Sequence, residues 1–103
     1  MMNDSVFTKQ ELQEMGYKPA DECSLVAQMV AARHLAAKYE HMGLSRAFWR
    51  GQRTAYGVMI EKLTGSEVRF CPESTSVCMY EVGGTCYAVQ TSVDDLVMVK
   101  RVY

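Results

Sequence analysis

Apolar positions recur at helical spacing through residues 21–64 and then switch to alternation. In the first half of that stretch Leu25, Met29, Ala32, Ala36 and Tyr39 share one helix face. Val26, Val30, Leu35 and Met42 widen the apolar surface well beyond one stripe. A helix this apolar is expected to be covered on more than one side, by a second helix and by a sheet or another chain. Asp21 is its expected N-cap and Gly43 its expected stop. Leu44 is expected to fold back over that stop, and Ser45 to cap a second long helix. The core face expected for the second helix is Phe48, Ala55, Tyr56, Met59, Ile60 and Leu63, with Gln52 among them, Trp49 at the edge and Gly65 at the end. Gly51 and Gly57 lie inside it at a cost of up to about 1 kcal/mol each relative to alanine. They point to close packing of a neighbouring element, or to a ligand or partner backbone against the helix.

Ahead of this hairpin, Thr8 and Glu11 have capping-box spacing and open a short helix through Leu12 and Met15 to Gly16. Phe7, Leu12, Met15 and Tyr17 are expected to fold onto the base of the hairpin. Beyond Gly65, residues 67–70 are a short strand candidate and residues 72–76 a polar loop. Two β-prone runs, 77–82 and 85–90, are joined by Gly83-Gly84, the signature of a two-residue hairpin. That turn pairs Val82 with Thr85, Tyr80 with Tyr87, and Cys78 with Val89, so Cys78 and Cys86 point to opposite faces. Residues 91–95 form a turn. Residues 96–103 form a final strand, apolar on both faces, that suits the sheet interior or an interface. The result is one α+β domain over residues 1–103. A short N-terminal helix and a long antiparallel helical hairpin make the helical part (8–64), and a three-stranded antiparallel sheet makes the sheet part (66–103).

Composition narrows the function classes. Hydrophobic residues make up 49% of the chain, which marks a globular rather than a disordered protein. Eleven basic residues against 12 acidic ones leave a formal charge of -1, so net charge draws the chain to no nucleic acid. No apolar run approaches the roughly 18 residues of a membrane helix, and the first residues lack a signal-peptide pattern, so a cytoplasmic location is expected. The four cysteines, Cys23, Cys71, Cys78 and Cys86, contain no CxxC pair and match no common zinc module. Free thiols are the expectation, with no metal, no cofactor and no catalytic residue.

Arg46, Arg50 and Arg53 form a basic stripe beside Trp49 near a helix N-terminus. Guanidiniums so placed grip carboxylates or phosphates, and tryptophan anchors interfaces or stacks on bases. These four residues are the candidate partner-binding surface. The competing reading is a solvated face paired with Glu40 and Glu61. His34, Lys38 and His41 share one face, expected to be exposed to solvent. Cys23 is expected in the first turn of its helix, where a thiol pKa is lowered. His34 lies roughly 16 Å away by helix rise, too far to serve as its base. Asp94-Asp95 reads as turn chemistry. Of eight methionines, Met2, Met15, Met42 and Met79 are expected to be partly exposed, as in surfaces that adapt to a partner.

Residues 51–65, Gly-Gln-Arg-Thr-Ala-Tyr-Gly-Val-Met-Ile-Glu-Lys-Leu-Thr-Gly, resemble helices in short proteins of phages and mobile elements. The resemblance implies a small accessory protein that inhibits or sequesters a host factor, and assigns no residue role. The expected function is a non-enzymatic protein-interaction module that occludes a host protein. The alternative is a binder of a phosphorylated small molecule or nucleic acid through the arginine stripe. A homodimer through Val26, Val30 and Leu35 is compatible with either.

Overall fold

In a computed structural model that describes residues 6–43, 45–71 and 77–102, the chain is an α+β domain with three α-helices and one antiparallel sheet. The helices are α1 (Lys9–Glu14), α2 (Leu25–Met42) and α3 (Arg46–Thr64). The strands are β1 (Lys18–Pro19), β2 (Val68–Cys71), β3 (Cys78–Val82), β4 (Thr85–Thr91) and β5 (Val97–Arg101), arranged β1-β5-β4-β3-β2. The sheet therefore has five strands where three were expected. Pro19 confines Lys18 to extended backbone, and the two-residue strand lies at an edge, where proline's missing N–H is tolerated. Residues 68–71 pair along β3 to form the other edge.

The glycine hairpin sets the register that alternation requires. Gly83 and Gly84 both take positive φ (56° and 87°), the backbone of the tight turn that matches strand twist. Val82 pairs with Thr85, Tyr80 with Tyr87, and Cys78 with Val89. β5 lies inside the sheet between β4 and β1, burying Met98 on one face and Val99 on the other.

Each sheet face meets a different helix. Against one face, α2 packs Ala27, Val30 and Ala31 among Cys78, Tyr80, Val82, Tyr87, Val89 and Val99. On the other, Leu12 and Tyr17 pack with Ala88 and Met98. The α1 segment thus covers the far side of the sheet instead of the base of the helical hairpin. Its capping box is formed: Thr8 Oγ1 accepts from the Glu11 N–H, and the Glu11 carboxylate accepts from the Thr8 N–H.

The caps of the long helices differ from expectation. Asp21 lies in a short 3-10 turn, Ala20–Glu22, and α2 starts two residues later, where Ser24 Oγ accepts the Ala27 N–H at 3.2 Å. Gly43 (φ 86°) and Gly65 (φ 78°) end their helices in the left-handed conformation. Ser45 does not cap with its side chain; it too is left-handed (φ 50°), because the connection between antiparallel helices is only three residues long. The expected fold-back of Leu44, the loop at 72–76 and the exposure of Met2 lie outside the described residues.

His34 is the clearest departure. It was expected in solvent, yet only 2% of it is exposed. It lies one turn beyond Val30 and Ala31, on the α2 face that meets the sheet. There His34 Nδ1 and the Tyr80 hydroxyl share a 2.7 Å hydrogen bond, with the rings edge to face. The Arg33 guanidinium stands over the Tyr80 ring, and Phe70 packs on its edge. Burial pushes the Tyr80 phenol well above its usual range, with the neighbouring Cys78 adding to the rise. Tyr80→Phe strips that hydrogen bond from the interface and is expected to lower unfolding free energy by about 1–3 kcal/mol in urea melts. An unchanged midpoint would show that the bond does not stabilise the domain.

Candidate functional site

The hairpin of α2 and α3 supplies two surfaces of different character. At its loop end, α2 contributes Ala37, Glu40 and His41, and α3 contributes Arg46, Arg50 and Arg53, around an open cleft of about 430 Å³. Glu40 sits at the centre. Arg50 Nε donates to Glu40 Oε2 at 2.9 Å, and Arg53 Nε lies 2.9 Å from Oε1 as an ion pair without hydrogen-bond alignment. The Arg50 hydrogen bond and the nearby Arg53, Arg50 and Arg46 charges hold the Glu40 carboxyl below its usual range. The cleft keeps a positive excess, three guanidiniums against one carboxylate. Arg46 and Arg50 are exposed, while Arg53 is half-buried.

Trp49 lies at the shoulder of this cleft and is not free. Its ring packs between Tyr39 (4.8 Å between centroids, 34°) and Phe48 (4.9 Å, 84°). All four residues of the expected surface are therefore gathered at one end of the hairpin. Arg50 and Arg53 are tied to Glu40, Trp49 is tied to its aromatic neighbours, and Arg46 is exposed.

The second surface lies along the outer side of the hairpin. Residues expected in the α3 core turn outward: Phe48, Met59 and Leu63 are about half exposed, Ala55 is exposed, and only Ile60 of that helix is buried. At the open end, Leu25, Met29 and Ala32 of α2 and Tyr56, Met59 and Leu63 of α3 line a shallow, mostly apolar groove of about 700 Å³, with Gln28 and Lys62 at its rim. A helix that touches only one partner element needs one buried stripe, whereas the α3 pattern is apolar over a wider arc. That excess was the available signal that part of the arc faces outward. A Cβ added at Gly51 would meet nothing within 4 Å among the described residues, so close packing by them does not explain it; one added at Gly57 would meet the Arg33 side chain at 3.7 Å. The flank assigned to a homodimer is largely consumed. Val30 is buried against the sheet, Val26 packs on the same cluster, and Leu35 is half-buried.

The remaining candidates settle into structural roles. Cys23 follows the 3-10 turn instead of lying in the first turn of α2. Its thiol donates to the Pro19 carbonyl at 3.4 Å, and burial raises its pKa, the reverse of activation. None of the four cysteines is joined in a disulfide, and Cys78 and Cys86 face opposite ways. Asp94 accepts from the Ser92 hydroxyl, which also accepts the Leu96 N–H and closes the turn before β5. Among the described residues, no group of three or more His, Cys, Asp or Glu is placed to hold a metal ion, and no helix is long and apolar enough to cross a membrane.

Comparison with protein-family models, curated proteins and solved structures gives no match to this chain. What the geometry itself defines is an α+β domain with an arginine cleft at one end of a helical hairpin and an apolar strip along its outer side.

Glu40 organises the cleft through its charge, which yields a pH signature. Its folded-state pKa is depressed, so the stabilisation it provides is present above the unfolded carboxylate range and is lost as pH falls through the folded value. Glu40→Gln is expected to lower stability at neutral pH, with the gap to the native chain narrowing only as pH falls below the unfolded carboxylate range and closing below the folded-state value. Paired melts across pH check this; a gap that persists in acid would mean that Glu40 acts through packing.

Proposed function

We propose that the protein is a small non-enzymatic protein-interaction module that covers an acidic surface of a partner protein with the loop end of its helical hairpin. The observation that carries this reading is the arginine cluster ordered about Glu40. Glu40 already occupies the seat a phosphate would take between the guanidiniums. The outer edges of Arg46 and Arg50 remain directed to solvent, where partner carboxylates lying across the cleft reach them. Trp49 supplies the neighbouring aromatic surface, a residue type enriched in energetic centres of protein interfaces. Two helices of 18 and 19 residues joined by a short turn present these groups on a rigid frame, which limits the ordering cost of association. The resemblance of residues 51–65 to proteins of phages and mobile elements supports a host protein as the partner and occlusion as the mode of action.

The test compares the native chain with Arg46→Ala/Arg50→Ala in affinity capture from cells of its source, with circular dichroism confirming the fold. The reading predicts a protein recovered by the native chain and lost by at least about tenfold in the double variant. Equal recovery by both would overturn it. So would recovery of only phosphorylated small molecules or nucleic acid with a steep salt dependence, which would establish the alternative use of the same arginines.

A further inference from the structure

We infer that the outer side of the hairpin is a self-association surface, on which a second copy of this chain docks antiparallel to form a four-helix layer. The surface is distinct from the arginine cleft. In α2, Leu25, Gln28, Ala32, Leu35, Tyr39 and Met42 follow one another at alternating spacings of three and four residues. In α3, Phe48, Gln52, Ala55, Met59 and Lys62 do the same. This is the spacing of a seam that meets another helix, and the chain covers it only in part: Gln28, Ala32, Leu35 and Gln52 are half-buried and Tyr39 packs on Trp49, while the large apolar side chains between them stay exposed. The sheet takes the side of α2 that carries Ala27, Val30, Ala31 and His34. Leu25 (60%), Met42 (58%), Phe48 (56%), Leu63 (52%), Met59 (49%) and Tyr39 (40%) remain exposed along the outer side.

The area fits this occupant. At about 200 Å² for a fully exposed large side chain, these six present roughly 600 Å². The small and polar residues between them bring the surface toward the ~800 Å² per partner of a standard stable interface. Its apolar part stands at the upper end of the roughly 300–600 Å² of the largest apolar patch on an ordinary monomer, a size at which such patches are often functional.

Charge sets the orientation. The loop end of the hairpin carries Lys38, His41, Arg46, Arg50 and Arg53 against Glu40. The open end carries Asp21, Glu22, Glu61 and Glu67 against Lys18 and Lys62. A parallel pairing sets like ends together. An antiparallel pairing lays each basic loop end beside the partner's acidic open end. The two helices differ by one residue in length, so the ends come into line. The arginine clefts open on the side of α2 that carries Ala37 and His41, turned away from the seam, and the dimer presents two of them, one at each end.

Sedimentation equilibrium and light scattering on the full chain test this directly. The expected species is twice the 11.6 kDa chain mass, dissociating on dilution and with rising salt. Met59→Glu and Phe48→Glu, at half-exposed positions, are each expected to weaken association at least about thirtyfold, as loss of a central interface anchor does, with an unchanged far-ultraviolet spectrum. Trp49 fluorescence of the native chain on dilution provides a readout that needs no variant, because Trp49 lies against Tyr39 and Phe48 of the seam. A monomer at every concentration, with Trp49 emission unchanged, would overturn the inference. A dimer indifferent to both substitutions would also overturn it, placing the interface elsewhere, as at the exposed edge of β2.

Discussion

The domain depends on α2 being held from two sides. Its small residues Ala27 and Ala31, both almost completely buried, let its backbone lie close to the strands, and Met29 and Ala36 are buried on its α3 side. Among the described residues, α1 packs on the far face of the sheet, and α3 reaches the strands mainly through Ile60 and its contact with β2. The polar bond between His34 and Tyr80 sits inside this contact. Because a buried hydrogen bond is costly to leave half-made, it fixes the register between helix and sheet more strictly than apolar packing alone.

From that constraint follows the placement of everything chemically interesting. With α2 occupied on two sides, its third side and the matching side of α3 are left to solvent, and they are apolar. The turn between the helices is short, so the arginines of the first α3 turns fall opposite the last carboxylate of α2. Glu40 gathers two of them, and the cleft is therefore a product of hairpin geometry as much as of composition. One hairpin thus carries a basic end, an acidic end and an apolar side.

Local chemistry was legible in the chain wherever it determined the backbone by itself. Two consecutive glycines fix a two-residue turn, and the turn fixes every pair from Cys78–Val89 to Val82–Thr85. Gly16, Gly43 and Gly65 stop their helices for the same reason. What periodicity could not resolve was which of several apolar faces would be covered. The stripe through Phe48, Met59 and Leu63 has helical spacing whether it meets a sheet or solvent, and only the placement of α3 on one side of α2 decides it. Strand β1 escaped notice because two residues carry no pattern; their strand character comes from Met98 and Val99, about 80 residues away. His34 was misplaced because histidine is usually exposed, although Val30 and Ala31 one turn earlier mark its side of the helix. The arginine cluster was visible as a stripe, but its central carboxylate depends on the hairpin closing.

The unfolding free energy of Ala31→Leu tests most directly whether α2 is locked against the sheet. The close approach leaves no room for three added carbons, so the substitution is expected to cost about 1–3 kcal/mol by overpacking, even though leucine favours helix and adds apolar surface. A stability equal to or above that of the native chain would show that α2 rides loosely over the strands, and that the exposed outer side and the arginine cleft are not fixed in the positions described.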